Sequence, residues 1–262
     1  MLTLTTLASG SSGNAALVSE GGTHILIDAG ISARRITTAL KALGVAPADL
    51  AAVLITHEHS DHISGLATLS RQLPTPVYAS YGTAGTLVGK LPALEGRLFG
   101  FTPGESFQIG PLTVETFATP HDTAQSNGYA VSAGGRKAAV VTDLGHVTEA
   151  VQRGIAGAHL LVAETNHDIE WLQSGPYPYF LKERVLGDYG HLSNEAGAEL
   201  VCEAAEDQAR TLVLAHLSKE NDTPQRAYDT VRLALERRGA VIGSDVRLDV
   251  APRSEKGPTY IV

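Results

Sequence analysis

The chain of 262 residues has one cysteine, one tryptophan and one methionine, and aromatic residues make up only 5% of it. A lone Cys202 excludes an internal disulfide framework and any metal site built from several thiolates. It falls within Glu195 to Asp207, read as a helix, where an inert thiol facing the core is expected. No stretch approaches the roughly 18 consecutive apolar residues of a membrane-spanning helix. Met1 to Leu7 lacks the basic start and long apolar stretch of a secretory signal. Cytoplasmic residence without a membrane partner is therefore expected. Positive charge is also scarce: 20 Lys and Arg against 28 Asp and Glu leave a net charge of -8. That balance excludes a protein that coats nucleic acid through bulk positive charge. It leaves room for a nucleic-acid enzyme in which metal ions and a local basic rim supply the attraction.

Linkers rich in Pro and Ser, charge blocks and low-complexity tracts are missing too, so one domain over residues 1–262 is expected. Alternating apolar residues and Gly turns predict strands at Leu2 to Ala8, Ala15 to Ser19 and His24 to Asp28, the last two forming a hairpin around Gly21-Gly22. Ser32 caps a predicted helix to Leu43, strand Ala51 to Ile55 follows, and Ile63 to Leu73 reads as one helix ended by Pro74. The middle is strand-rich, at Ser106 to Ile109, Leu112 to Ala118, Tyr129 to Ala133 and Lys137 to Thr142. Strands at Leu160 to Ala163, Thr211 to Ala215 and Val246 to Val250 then alternate with helices at Tyr179 to Leu186, Asn194 to Glu206 and Pro224 to Arg238, before a polar tail. Each half runs from meandering strands into strand–helix alternation. The expected architecture is α/β, with two similar halves that place sheets inside and helices outside.

The densest chemistry is the run Thr56-His57-Glu58-His59-Ser60-Asp61-His62, directly after an apolar strand. His57 and His59 share a face at period two and can reach one ion, while Asp61 and His62 point elsewhere and can serve a second. Imidazole and carboxylate ligands suit zinc, manganese or iron better than calcium or magnesium. Three later apolar strands also end in ligand-type residues: Phe117 to Pro120 before His121-Asp122, Ala138 to Thr142 before Asp143, and Leu212 to Ala215 before His216. Two divalent ions need about this inventory. His57, His59 and His121 would hold the first, Asp61, His62 and His216 the second, with Asp143 bridging. A water between two such ions has a lowered pKa and is a nucleophile at neutral pH.

The ordered set His57-x-His59-x-Asp61-His62, His121, Asp143 and His216 resembles the metallo-β-lactamase-fold hydrolases over nearly the whole chain. The resemblance implies a four-layer αβ/βα sandwich with a dinuclear site at the edge of two central mixed sheets. Asp143 stands where several true β-lactamases carry Cys, which disfavours antibiotic hydrolysis. The segments Glu164-Thr165-Asn166-His167-Asp168, Ser174-Gly175-Pro176-Tyr177-Pro178 and Gly190-His191-Leu192-Ser193-Asn194 are similar to the YycJ/WalJ-like exonuclease branch of that family, as is the opening Ser9 to Asn14.

That branch implies a metal-dependent 5′ exonuclease on DNA, associated with repair. The similarity of the Glu164 and His191 segments to transfer-RNA 3′-processing enzymes implies that Glu164 orients His191 toward the leaving oxygen, and Asp61 is expected to orient the attacking hydroxide. No insertion is long enough for the protruding arm of transfer-RNA processing enzymes. Ser11, Ser12 and Asn14 could cradle a terminal phosphate, and Ser193 and Asn194 open a helix whose N–H groups could bind one; a hairpin loop and a helix cap are their structural alternatives. The Ser9 to Asn14 loop lacks the Lys of a nucleotide-binding loop, so ATP is not expected. The expected cofactor is a pair of divalent ions, Mn or Zn; the expected partner is nucleic acid, DNA before RNA, and a homodimer is compatible. Two other classes use the same ligands: a small-molecule thioester or lactone hydrolase, and a non-enzymatic metal-binding sensor or scaffold.

Overall fold

The computed structural model describes residues 1–262. In chain order the first half contains β1 (Thr3–Ala8), β2 (Ala15–Glu20), β3 (Thr23–Ile27), α1 (Ala33–Ala42), β4 (Leu50–Leu54), α2 (Ser60–Ile63), α3 (Leu66–Gln72), β5 (Val77–Ser80), α4 (Tyr81–Val88) and β6 (Leu98–Phe101). The second contains β7 (Ser106–Ile109), β8 (Leu112–Ala118), β9 (Asn127–Ala133), β10 (Arg136–Val141), α5 (Glu149–Ile155), β11 (Leu160–Glu164), α6 (Ile169–Ser174) and α7 (Tyr179–Leu186). It closes with α8 (Asn194–Asp207), β12 (Thr211–Ala215), α9 (Pro224–Arg237), β13 (Arg247–Val250) and β14 (Thr259–Ile261). The strands form two seven-stranded sheets, ordered β14-β1-β2-β3-β4-β5-β6 and β13-β12-β11-β10-β9-β8-β7.

Side-chain alternation builds the layers. Along β4, Ala52 and Leu54 enter a core shared by both sheets, while Leu50, Val53 and Ile55 face the helices α1, α3 and α4. Along β10 to β12, Ala138, Val140, Leu160, Val162, Val213 and Ala215 join the shared core. Their neighbours Ala139, Val141, Leu161, Ala163, Leu212 and Leu214 pack under α5, α8 and α9. Strands buried on both faces explain why these runs read as unbroken apolar segments. The result is the expected helix–sheet–sheet–helix sandwich of the α/β class.

Several local expectations differ from the structure. The segment expected as one helix from Ile63 to Leu73 is two, α2 and α3. The chain bends at Gly65, whose N–H donates to Ala29 O at 2.8 Å, and a Cβ there would lie 2.0 Å from Ile31 O. The polar tail supplies β14, which pairs antiparallel with β1 and buries Tyr260. A three-residue strand with one inward side chain carries no readable period. The elements β5, α4, β6, α5 and α6 are four to eight residues long and had no assignment from the sequence.

Parallel pairing of β3 with β4, and of β10 through β13, aligns their C-terminal ends. Ala163 lies level with Val141 and with Leu214, so the residues that follow β10, end β11 and follow β12 emerge side by side. β8 runs antiparallel to β9, which is antiparallel to β10, so β8 also ends at this edge.

Candidate metal centre

Six strand ends converge there. Asp28 follows β3, Thr56 to His62 follow β4, His121 follows β8, Asp143 follows β10, Glu164 closes β11 and His216 follows β12. Asp28, Asp143 and His216 have positive φ, at 61°, 61° and 58°, and are the only non-glycine residues that do. The left-handed region costs L-residues conformational energy, though Asp and His tolerate it better than most. All three strained positions turn a carboxylate or imidazole into one cluster, the pattern expected where strain serves a site. Gly30 makes room: a Cβ on it would lie 1.6 Å from Asp61 O, so only glycine lets the Asp61 loop approach this closely.

The hydrogen bonds orient the rings. His62 Nδ1 lies 2.8 Å from Asp28 Oδ2, and Asp28 Oδ1 accepts from Thr56 N at 2.9 Å. His121 Nδ1 lies 3.1 and 3.0 Å from the carbonyl oxygens of Tyr189 and Gly190. His216 Nδ1 lies 2.8 Å from Glu164 Oε1, and the same oxygen lies 2.8 Å from His191 Nδ1. An ionised carboxylate or a carbonyl only accepts, so each Nδ1 carries the proton. Nε2 of His62, His121 and His216 is then the unprotonated nitrogen that faces the cluster, and His57 Nε2 is buried without any partner.

The ligand atoms fall into two adjoining groups. Ligand atoms of His57, His59 and His121 lie within 4.8 Å of one another, as do those of Asp61, His62 and His216. Asp143 sits between, with Oδ2 3.2 Å from His62 Nε2 and Oδ1 3.4 Å from His216 Nε2 and 3.7 Å from His121 Nε2. Asp143 Oδ2 is buried with no hydrogen-bond partner. Orphaned buried donor atoms of imidazole and carboxylate type, with their rings oriented from behind by acceptors, fit a pair of divalent cations.

The electrostatics divide the rings: Asp143 and the neighbouring carboxylates outweigh burial and raise His62 well above its ordinary value and His216 to about 10. Burial pushes His57 well below its ordinary value, and the neighbouring His62 ring adds to this; burial likewise lowers His121. For Asp143, burial alone would raise the carboxyl, but His216, His62 and His57 outweigh it and hold it well below the carboxylate range. Asp61 is lowered in the same way, its hydrogen bonds with His216 and His62 overcoming burial. Glu164 is lowered to about 2, burial being outweighed by His191 and His216.

Glu164 and His191 adjoin the cluster. Glu164 is fully buried, and its Oε2 accepts from Leu144 N at 3.1 Å and Leu192 N at 3.2 Å. The His191 side chain keeps 20% of its exposure, which leaves it at the mouth. The small polar residues are placed differently from one another. Ser11 and Ser12 are exposed. Asn14 is buried; its Oδ1 accepts from Gly10 N at 2.8 Å and its Nδ2 lies 3.0 Å from His62 Nε2. Ser193 caps α8, accepting from Ala196 N, while the fully buried Asn194 donates to Asp222 Oδ1 at 3.1 Å.

Sequence reasoning missed Asp28, although it ends an apolar strand just as Asp143 and His216 do. It also missed Asp122, whose Oδ1 lies 3.6 Å from His121 Nε2 and 3.8 Å from His59 Nε2 while its Oδ2 accepts from Arg184.

The profile of the beta-lactamase superfamily domain matches residues 23–217. The chain is 36% identical over 258 residues to exodeoxyribonuclease YycJ of Bacillus anthracis, covering 97% of this chain and 96% of that one. It is 35% identical over 252 residues to exodeoxyribonuclease WalJ of Streptococcus pneumoniae, covering 94% and 93%. Its backbone is similar to the crystal structure of the metallo-beta-lactamase fold protein YhfI from Bacillus subtilis, with a TM-score of 0.72 over 99% of this chain and 98% of that one. At 17% identity that last likeness is one of fold alone.

Proposed function

This chain belongs to the metallo-β-lactamase superfamily, and from that premise we propose that it is a metal-dependent exonuclease that removes nucleotides from the 5′ end of DNA, in the cytoplasm and in the service of repair. The observation that carries the phosphodiester reading is the Glu164–His191 pair beside the ligand cluster. The names of the YycJ and WalJ relatives, which align over nearly their whole length, support DNA as the substrate. His57, His59 and His121 would hold one cation, Asp61, His62 and His216 the other, and Asp143 would lie between them. A manganese or zinc pair held there would supply Lewis acidity and a water acidic enough to attack at neutral pH.

The chain's own residues do the rest. The Asp61 side chain, 21% exposed against 2% for Asp143, is the more open of these two carboxylates, able to accept a hydrogen bond from the attacking water and align it. Glu164 accepts the Nδ1 proton of His191 and so directs Nε2 outward. A proton on that Nε2 can pass to the departing 3′-oxygen, whose expulsion as a bare alkoxide would be slow. The products are a 5′-phosphate and a 3′-hydroxyl. A thioester, whose thiolate leaves without a proton, needs no such donor.

The test is an assay panel on purified protein loaded with Mn or Zn. It compares end-labelled single- and double-stranded DNA and RNA, bis-p-nitrophenyl phosphate, a thioester and a β-lactam, with Asp61→Ala as control. Stepwise shortening of DNA, lost in the variant, is expected. Turnover of the thioester with every phosphodiester untouched would overturn the proposal.

A further inference from the structure

Aromatic residues are few in this chain, yet the exposed ones are concentrated. The aromatic side chains exposed to solvent are Tyr81, Phe99, Tyr179, Phe180 and Tyr189. All but Phe99 sit on segments bonded to the rim of the metal centre. Tyr179 and Phe180 open α7, a helix without a single buried residue, and are 77% and 73% exposed. Arg184, one turn beyond Phe180 on the same helical face, donates to Asp122, which adjoins His121 and His59. Tyr189 is 62% exposed, and its carbonyl accepts from His121 Nδ1 and from Asp122 N. His191 N in turn donates to Val185 O. On the opposite side, α4 beginning at Tyr81 is tied to Glu58, next to His57 and His59, through Thr83.

A helix held at the rim by polar bonds, with its aromatic rings left in water, forgoes the burial that normally fixes helices. A polyanion gains little from the bulk charge of a chain at -8. Affinity must come from contacts that do not depend on bulk charge, and base–aromatic stacking is one that tolerates any sequence. Lys182 on the same helix, with the metal centre beyond, provides a local cationic group for the adjoining phosphates, while Arg184 is paired with Asp122.

Resting on the nuclease reading above, we propose that α7 and the turn after it form a stacking platform for unpaired bases, with Phe180 and Tyr189 as the main contacts and Tyr179 beside them. The preferred substrate is then DNA with a single-stranded end, whose terminal nucleotides lie along α7 while the scissile phosphate reaches the metal centre. A fully paired end has its bases stacked internally and presents no free face to these rings.

The experiment uses the full chain loaded with Mn. The probe is a duplex with a four-nucleotide unpaired tail containing 2-aminopurine and phosphorothioate linkages that block turnover, compared with a blunt duplex. Wild-type protein should change the fluorescence of the tail and bind it more tightly than the blunt end. Phe180→Ala and Tyr189→Ala should each weaken tail binding on the order of 10-fold, and the double variant should abolish the fluorescence change. On a cleavable tail the loss should fall on KM more than on kcat, and Phe180→Ala should lose far more on the tail than on bis-p-nitrophenyl phosphate. Phe99→Ala, which removes the exposed ring away from the rim, should behave as wild type. Wild-type fluorescence and affinity in the double variant would overturn the platform. So would self-association of the wild type that the double variant loses while keeping its DNA affinity, because the rings would then serve a dimer contact. Ring-dependent binding of the tail without cleavage of any DNA would sink the nuclease reading and leave the platform standing.

Discussion

Glu164 Oε1 lies 2.8 Å from His191 Nδ1, and this contact joins the ligand cluster to the imidazole proposed to protonate a leaving oxygen. The carboxylate faces four donors: the two Nδ1–H groups of His191 and His216 on one oxygen, and the N–H groups of Leu144 and Leu192 on the other. An amide cannot satisfy them, because in either orientation its NH2 meets two N–H groups. Glu164→Gln should therefore lower stability by about 2–4 kcal/mol and turnover by about 10²–10⁴-fold. Denaturant titration and steady-state kinetics on DNA read these two losses. A Gln variant as stable and active as wild type would show that the group is not a carboxylate accepting four bonds.

His191 is the cleaner test of proton delivery, because it lies at the edge of the cluster and its loss leaves Glu164 still bonded to His216. His191→Ala should keep its metal content, measured by atomic emission after gel filtration. Turnover of DNA should fall by about 10²–10⁴-fold. Bis-p-nitrophenyl phosphate, whose leaving group departs without a proton, should lose far less. Equal losses on both substrates would argue that His191 acts elsewhere than on the leaving oxygen.

Asp28 provides the corresponding test on the first sheet. Its carboxylate takes the Nδ1 proton of the fully buried His62 and the N–H of Thr56 from a left-handed backbone. Asp28→Asn keeps the shape and offers an N–H where His62 needs an acceptor, so the ring loses the tautomer that frees Nε2. Metal affinity should fall about 10–100-fold, as read by competition with a chelating dye. Retained affinity would mean that Asp28 contributes only to the fold.

The difference between what was and was not legible in the sequence lies in the range of each signal. His57, His59, Asp61 and His62 are neighbours in the chain, and His121, Asp143 and His216 each stand at the end of an apolar strand, a pattern visible locally. Asp28 ends such a strand as well, but it serves a ring 34 residues away rather than facing solvent, and no local pattern announces a partner at that distance. The same holds for β14, whose position depends on pairing with β1 across the whole chain. Ser193 and Asn194 illustrate the reverse. Composition suggested a phosphate contact or a cap with equal force, and only burial and bonding show that Ser193 caps α8 and that Asn194 lies inside.

Asp222 carries the last prediction, one of stability against pH. It is 3% exposed; its Oδ1 accepts from Asn194 Nδ2 and Thr223 N, and its Oδ2 has no partner. Burial pushes its carboxyl up to about 7, the hydrogen bonds opposing this and the nearby Asp168 adding to it. A raised carboxyl pKa means that the folded state holds its proton more tightly than the unfolded chain does. Between the unfolded value near 4 and about 7, folding takes up a proton, so this group's contribution to stability falls as pH rises through that window. Asp222→Asn stays neutral at every pH and keeps an oxygen for Asn194 and Thr223. The variant should unfold close to the wild type at pH 5 and be more stable at pH 8, by on the order of 1–3 kcal/mol. Thermal unfolding at the two pH values, with the metal loading held constant, reads the difference. A variant that loses stability at pH 8 relative to pH 5 would show that Asp222 is wanted as a charge, held by a partner that its unpaired Oδ2 does not reveal.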